Sequence, residues 1–324
     1  MHFSIVVPCY NEEEVLPKFI ERVTAVINQE GYQDSEVILV DDGSADNTWQ
    51  AINQISQNDS RFKGVKLSRN FGHQLALSAG LSESQGEKVF VCDADLQDPP
   101  ELLIDMNEHM ALEGADVVYG MRNSREGETR FKKMTASVFY RLLDKLSDVD
   151  MPLDTGDCRL MKRHIVKLLG GMSEHDKFIR GMIAWLGFKQ VPFVYNRDTR
   201  AAGETKYTLG KMIAFATDAI IGFSMLPLRF SVYLSMVMLL LMGVVLGYTV
   251  FSWLFLESVP GWASTMLVVS FIAGIQFLIL GVIGEYIGRL YIQNKERPLF
   301  IISDRSEPSI VASSEVKVMS CGDA

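Results

Sequence analysis

From Val232 to Leu256, and again from Ala263 to Gly284, the chain carries no charged side chain. Each run exceeds the roughly 20 residues that a helix needs to cross the hydrocarbon of a bilayer. A helix inside a soluble core seldom stays apolar on every face for so long. The pattern predicts two transmembrane helices and leaves the rest of the chain to build a water-facing domain. Arg229 precedes the first run, Arg289, Lys295 and Arg297 follow the second, and residues 257–262 between them hold no Lys or Arg. By the positive-inside rule both termini are expected in the cytosol of a multi-pass protein of the cell (inner) membrane. Gly274, Gly281, Gly284 and Gly288 permit close helix contact, as in a homo-oligomer.

Ahead of these runs, apolar stretches alternate with helix-period segments. Residues 3–7, 36–40, 64–67, 88–92 and 116–119 read as short buried strands, and 13–28, 48–58, 74–84 and 100–113 as helices. The opening stretch is thus expected to be a strand, with no basic region before it to mark a signal peptide. Such alternation predicts an α/β domain with a mainly parallel sheet covered on both faces. Residues 130–145 and 208–223 are amphipathic, each compatible with an ordinary surface helix or with a helix lying in a membrane interface. The polar tail beyond Pro298 is expected to be disordered. A net charge of −9 argues against nucleic acid as a partner. Cys9, Cys92, Cys158 and Cys321 show no metal-finger spacing and read as free thiols, mostly buried. His73 and His175 have no partner histidine at ligand spacing, which argues against zinc.

In parallel sheets ligands bind beyond the carboxyl ends of the strands, so the residues after each apolar stretch carry the chemistry. Those residues are Pro8-Cys9-Tyr10-Asn11-Glu12, then Asp41-Asp42-Gly43-Ser44, then Asp93-Ala94-Asp95-Leu96-Gln97-Asp98. Acidic groups therefore gather where three strands open toward one crevice. Asp93 and Asp95, two carboxylates one residue apart, suit a hard cation such as Mg2+ or Mn2+ held together with substrate phosphate. Asp41 and Asp42 could bind a nucleobase or ribose, or simply form a turn in which Ser44 or Asp46 caps a helix. Pro8, Tyr10 and Glu12 could line the same pocket or form a strand-to-helix turn. Arg122, Arg200 and Lys206 are candidate phosphate ligands, bidentate for arginine and a point charge for lysine.

These motifs, with Ser68-Arg69-Asn70 between the second and third, resemble in order those of family-2 glycosyltransferases with the GT-A (Rossmann-like) fold. The resemblance is strongest to polyprenyl-phosphate glycosyltransferases, including dolichyl-phosphate mannose synthase and the bacterial bactoprenol glucosyltransferase group, and extends into the two C-terminal spans. It implies a nucleotide sugar and a polyprenyl phosphate as substrates, inversion at the anomeric carbon, a divalent metal and a cytosolic active site. Carried across, Asp93 and Asp95 match the metal and diphosphate motif, with Gln97 in the same loop. Asp41 and Asp42 match the nucleotide-binding pair, with Pro8, Tyr10 and Glu12 opposite. Residues 153–161 resemble the acceptor-side segment, in which Asp157 is the candidate catalytic carboxylate.

The expected division is a catalytic domain over 1–206, an interfacial helix over 207–228, a two-helix anchor over 229–292 and a tail over 293–324. The resemblance favours UDP-glucose as sugar donor, with a GDP-mannose-dependent mannosyltransferase as the alternative. A processive polysaccharide synthase is less favoured because the Gln-x-x-Arg-Trp signature is absent. A nucleotide-sugar sensor without turnover is less favoured because Asp93, Asp95 and Asp157 are all present.

Overall fold

The structure is a computed structural model that describes residues 2–122, 155–172, 174, 177–195, 226–255 and 261–306. Its centre is an eight-stranded sheet in the order β7-β5-β6-β4-β1-β2-β3-β8. The strands are β1 (Phe3–Cys9), β2 (Ser35–Asp41), β3 (Phe62–Leu67), β4 (Lys88–Val91), β5 (Val117–Arg122), β6 (Thr155–Lys162), β7 (Gln190–Tyr195) and β8 (Ile302–Ser306). β1 lies in parallel between β2 and β4, with Cys9 beside Asp41 and Val6 beside Val91. Every residue of β1 and β2 is buried, as expected of parallel strands covered on both faces.

Alternate side chains of β1 serve two separate cores. Ile5 and Val7 face α1 (Leu16–Ile27), α2 (Thr48–Asn58) and α4 (Leu102–Glu113) through Phe19, Ile52, Leu103 and Met106. Val6 faces the opposite layer, where α3 (His73–Glu83), α5 (Arg163–Gly171) and α6 (Ile179–Trp185) supply Leu77, Ile165 and Met182. Each such side chain, fully buried, contributes about 1.5–3 kcal/mol. α3 lies so close to the sheet that a Cβ on Gly80 would come within 2.3 Å of Val6 Cγ1 and 2.9 Å of Val40 Cγ2. That contact fixes the depth of the helix whose first residue is His73.

Two strands run against the rest. β6 is antiparallel to both β4 and β5, while β7 is again parallel to β5. Reversal of β6 brings its beginning, rather than its end, to the edge of the sheet where β1, β2 and β4 finish. Val91 faces Arg159 across the β4–β6 pair. Two residues beyond that pair come Asp93 and Asp157.

The other reversed strand corrects an expectation. The chain beyond Pro298 was expected to be disordered, yet residues 302–306 form β8, antiparallel to β3. Polar composition hid an edge strand that needs only one covered face, and without it β3 would present unpaired backbone groups. Ser306 is buried and accepts the Gly64 N–H at 2.7 Å while bonding Ser56 Oγ at 2.7 Å. Arg305 pairs with Glu83 at 2.8 Å, and the Ser68 N–H donates to Ile301 O at 2.9 Å.

Between β7 and β8 stand α7 (Leu226–Phe255) and α8 (Trp262–Gln293). They contain apolar spans over Phe230–Tyr248 and Phe271–Gln293, with mean hydropathies of 2.3 and 1.8. Only 6% of the first span and 0% of the second are buried. A core helix of a soluble protein would be covered; these expose Leu239, Leu246, Phe277 and Leu280, an apolar surface suited to a bilayer. The amphipathic segments 130–145 and 208–223 lie outside the described residues, as do 307–324 and Cys321. Cys9, Cys92 and Cys158 are free and buried, as the sequence predicted.

One buried ion holds three strands in register. Glu36, its side chain fully buried, accepts from Ser4 Oγ (2.5 Å), Lys63 Nζ (2.6 Å) and the Gln85 N–H (2.6 Å). Burial alone would raise this carboxyl, but the three hydrogen bonds prevail and hold it below its ordinary value. A depressed carboxyl stabilises the fold above its unfolded-state pKa, and the gain is lost as pH falls through the folded one. Glu36→Ala, which takes the acceptor from the buried Ser4 hydroxyl and the partner from Lys63, should cost about 2–3 kcal/mol at pH 7. In denaturant titrations of the detergent-solubilised protein, the wild-type advantage should shrink as pH drops below about 4.

Candidate active site

Asp41 ends β2 and Asp93 follows β4, the two parallel strands that flank β1, and the reversed β6 delivers Asp157 to the same edge. The side chains of Asp93 and Asp157 both approach one imidazole. His73 Nε2 lies 3.1 Å from Asp157 Oδ2 and 3.7 Å from Asp93 Oδ1. On the far side, Arg180 Nε donates to Asp157 Oδ1 at 2.8 Å. Asp157 therefore meets one cationic donor at each oxygen.

The charges follow from these contacts. Burial would raise the Asp157 carboxyl, but the His73 hydrogen bond and the charge of Arg180 outweigh it and hold it well below the ordinary carboxylate range. Burial would lower His73, yet its bond to Asp157 and the charges of Asp93 and Asp157 raise it to about 9. Asp93 moves the other way: burial, with Asp157, Asp98 and Asp95 nearby, pushes it up to about 6 despite His73. At neutral pH the site thus holds an anionic Asp157 and a protonated His73.

The backbone around these groups is tightly held. The loop after β1 and the loop after β2 are laced together: Asn11 N–H to Ser44 Oγ (3.0 Å), Ala45 N–H to Asn11 Oδ1 (2.9 Å) and Glu12 N–H to Thr48 Oγ1 (2.9 Å). Gly43, at φ 67°, lets the Arg69–Asn70 backbone cross over it, where a Cβ would sit 2.4 Å from Arg69 C. In the loop after β4, Leu96 takes φ 61° while 3% exposed, and the Gln97 N–H donates to Asp95 Oδ1 at 3.1 Å. A leucine in this left-handed region persists only where packing enforces it. The Tyr195 hydroxyl bonds Asp98 Oδ1, tying the same loop to β7. Arg159, 3% exposed, donates to the Gly156 and Asp157 carbonyls and stiffens the entry to β6.

Among the residues singled out from sequence, Asp41, Asp93, Asp95, Gln97 and Asp157 lie on the loops and strand ends that form this edge. Asp41 Oδ1 accepts the Ser44 N–H at 3.1 Å, and its Oδ2 is buried without a hydrogen-bond partner among the described residues. Pro8 is buried in β1, Glu12 is half-buried and Tyr10 is 48% exposed beside them. Asp42, the other expected nucleotide ligand, holds backbone through its carboxylate. It is 3% exposed, and its two oxygens accept the Phe71 and Gly72 N–H groups at 2.7 and 2.9 Å. It buttresses the loop that leads into His73. Arg122 closes β5, but its side chain lies outside the described residues, as do Arg200, Lys206 and residues 153 and 154. Sequence reasoning missed His73 and Arg180. The one available signal was Phe71-Gly72-His73, a histidine opening a helix directly after a strand-end loop.

The donor set fits a hard divalent cation. Asp93 Oδ1 has no hydrogen-bond partner among the described residues, and Asp95 stands beside it with carboxylate oxygens. No group of three or more His, Cys, Asp or Glu side chains forms a metal cage among the described residues. Magnesium and manganese sites of this kind use one or two carboxylates and complete the shell with water and substrate phosphate.

Comparison with known proteins agrees with this architecture. Residues 226–290 match a family described as GtrB C-terminal hairpin. The chain is 45% identical over 308 residues to the uncharacterized glycosyltransferase YkcC of Bacillus subtilis (strain 168), covering 93% of each chain. It is 36% identical over 308 residues to a prophage bactoprenol glucosyl transferase homolog of Escherichia coli (strain K12), covering 93% of this chain and 98% of the relative. Among solved structures, S. aureus TarS 1-349 in complex with UDP-GlcNAc superposes with a TM-score of 0.47 at 20% identity, covering 68% of this chain and 66% of that one. Residues 4–170 match the family described as Glycosyl transferase family 2, and with its mainly parallel GT-A sheet the chain belongs to that family.

Proposed function

We propose that this protein transfers glucose from UDP-glucose to the phosphate of a polyprenyl lipid, with inversion, at the cytosolic face of the membrane. The observation that carries this reading is the meeting of Asp93 and Asp157 at one edge of a sheet whose chain also provides two uncovered, membrane-grade helices. The name of the Escherichia coli relative, a bactoprenol glucosyl transferase homolog, supports both the lipid and the sugar.

In this reading the nucleotide lies over the strand ends near Asp41, walled by Pro8, Tyr10 and Glu12. Asp93 and Asp95, with Gln97 in their loop, would hold Mg2+ or Mn2+. When bound, such a cation offsets the negative charge that develops on the departing nucleoside diphosphate. An oxygen of the lipid phosphate forms a bond to the anomeric carbon from the face opposite the leaving group. The bond from that carbon to the diphosphate oxygen breaks, and the diphosphate leaves with the electron pair. The attacking phosphate is already an anion at neutral pH, so no strong base is required. Asp157 is poorly suited to be one, because both its oxygens are occupied by cationic donors. Its part is to face the sugar and stabilise positive character at the anomeric carbon. Arg122, Arg200 and Lys206 complete the reading as clamps for the phosphates.

The anchor places this chemistry where the lipid can reach it. Residues on both sides of the two spans belong to one sheet, since β8 pairs with β3. The chain entering α7 and the chain leaving α8 therefore lie on one side of the bilayer, in keeping with Arg289, Lys295 and Arg297 on the cytosolic side. A long-chain acceptor can then present its phosphate without leaving the membrane.

Labelled UDP-glucose with polyprenyl phosphate should give a solvent-extractable lipid-linked sugar whose formation stops on chelation of divalent metal. Extractable product from GDP-mannose alone would reassign the sugar, label in polymer would indicate a processive synthase, and binding without turnover a sensor. Asp95→Asn should lower turnover by about 100-fold or more while the melting temperature stays near wild type. Near-normal activity would contradict its metal role. Asp157→Asn should reduce transfer far more than UDP-glucose binding, and equal loss of both would move Asp157 into the nucleotide pocket.

A further inference from the structure

We infer that His73 is a positioning residue for the transfer reaction: its Nε2–H fixes the orientation of Asp157 and separates that carboxylate from Asp93. The inference rests on the glycosyl transfer proposed above, with Asp157 on the acceptor side.

His73 is built into a rigid frame. It opens α3, directly after Gly72 at φ 98°, and the preceding loop is pinned because Asp42 accepts both the Phe71 and Gly72 N–H groups. Farther along, α3 is seated on the sheet by the close approach of Gly80 to Val6 and Val40. Its second residue, Gln74, accepts the Ile179 N–H through Oε1 at 3.2 Å. That bond links the start of α3 to the start of α6, which carries Arg180. The two donors that hold Asp157 thus come from two helices joined at their first turns. His73 takes Oδ2 at 3.1 Å and Arg180 takes Oδ1 at 2.8 Å.

Two such bonds leave the carboxylate one orientation. They also explain the place of the imidazole between Asp157 and Asp93, 3.7 Å from Oδ1 of the latter. His73 reaches these carboxylates through Nε2 as a hydrogen donor. That contact assigns it an orienting role toward Asp157.

Full-length protein in detergent micelles gives the test. His73→Ala should lower kcat by about 10- to 100-fold, with KM for UDP-glucose changed less than about 2-fold. His73→Gln, which carries an N–H donor at similar reach, should restore much of the loss. In the double variant, His73→Ala should add little to the defect of Asp157→Asn, because a residue acting only through Asp157 has no effect once Asp157 is disabled. Multiplying losses, or a parallel fall in UDP-glucose affinity, would overturn the inference. A second readout is independent of turnover: modification of His73 by diethyl pyrocarbonate, followed by mass spectrometry, should rise in Asp157→Ala. Unchanged modification would overturn the contact itself. If wild-type protein forms no lipid-linked sugar while His73 protection still depends on Asp157, the transfer reading fails, and the positioning role in transfer fails with it. If wild-type protein forms product but the double-variant losses multiply, only the role of His73 fails.

Discussion

Carboxylates crowded onto one edge of a sheet repel, and the way this protein offsets that repulsion organises its centre. Asp41, Asp93 and Asp157 come from three different strands or strand ends. Asp93 and Asp157 share one imidazole, and Arg180 completes the balance at Asp157. The cations are internal, so Asp157 stays charged without bulk water. Asp93 is less fully compensated: its Oδ1 makes no hydrogen bond among the described residues. An incompletely paired carboxylate beside Asp95 is what a hard cation requires, since the cation brings the missing charge. The same balance accounts for residues that support the site through the backbone. Asp42 holds the loop before His73, Gly43 lets that loop cross, and Gly80 seats the helix that follows.

The second organising constraint is the return of the chain after its membrane-grade helices. A sheet strand following the anchor means that the catalytic fold is incomplete until both helices have been made. β8 covers the edge of β3, and Ser306 fills the space over Gly64, where a Cβ would lie 2.3 Å from its hydroxyl. β3 is also the strand that runs into Ser68 and the His73 loop, and Ile301 bonds the Ser68 N–H. Anchor and crevice are thereby joined by a few residues of backbone on the cytosolic side proposed above.

Much of this is legible in the sequence. Val-rich stretches such as Phe3 to Val7 and Glu36 to Val40 must be buried on both faces, and their spacing with helices leaves few alternatives to a parallel sheet. The acidic residues after those stretches follow from the same rule, and the uncharged runs beyond Val232 declare themselves by length. What was hidden depends on contacts distant in sequence. Nothing local in Cys158-Arg159-Leu160-Met161 says that β6 runs against β4, yet that reversal brings Asp157 to Asp93. That Asp42 also holds the loop before His73, by accepting the Phe71 and Gly72 N–H groups, follows only from the fold of that loop over Gly43. His73 and Arg180 lie 107 positions apart in numbering, and their meeting at one carboxylate leaves no periodic trace. β8 was missed because an edge strand with one covered face can be mostly polar.

In the proposed function, carboxylates from separate strands form one nucleotide-sugar site around a divalent cation. Crystals or vitrified particles of the protein soaked with Mn2+ and UDP would locate the ion directly, by anomalous scattering or by density. The account predicts manganese between the Asp93 and Asp95 carboxylates and the diphosphate, with Asp157 and His73 bordering the cavity beyond it. Manganese bound away from Asp93 and Asp95, or a nucleotide held on a surface that does not include Asp41, would contradict it.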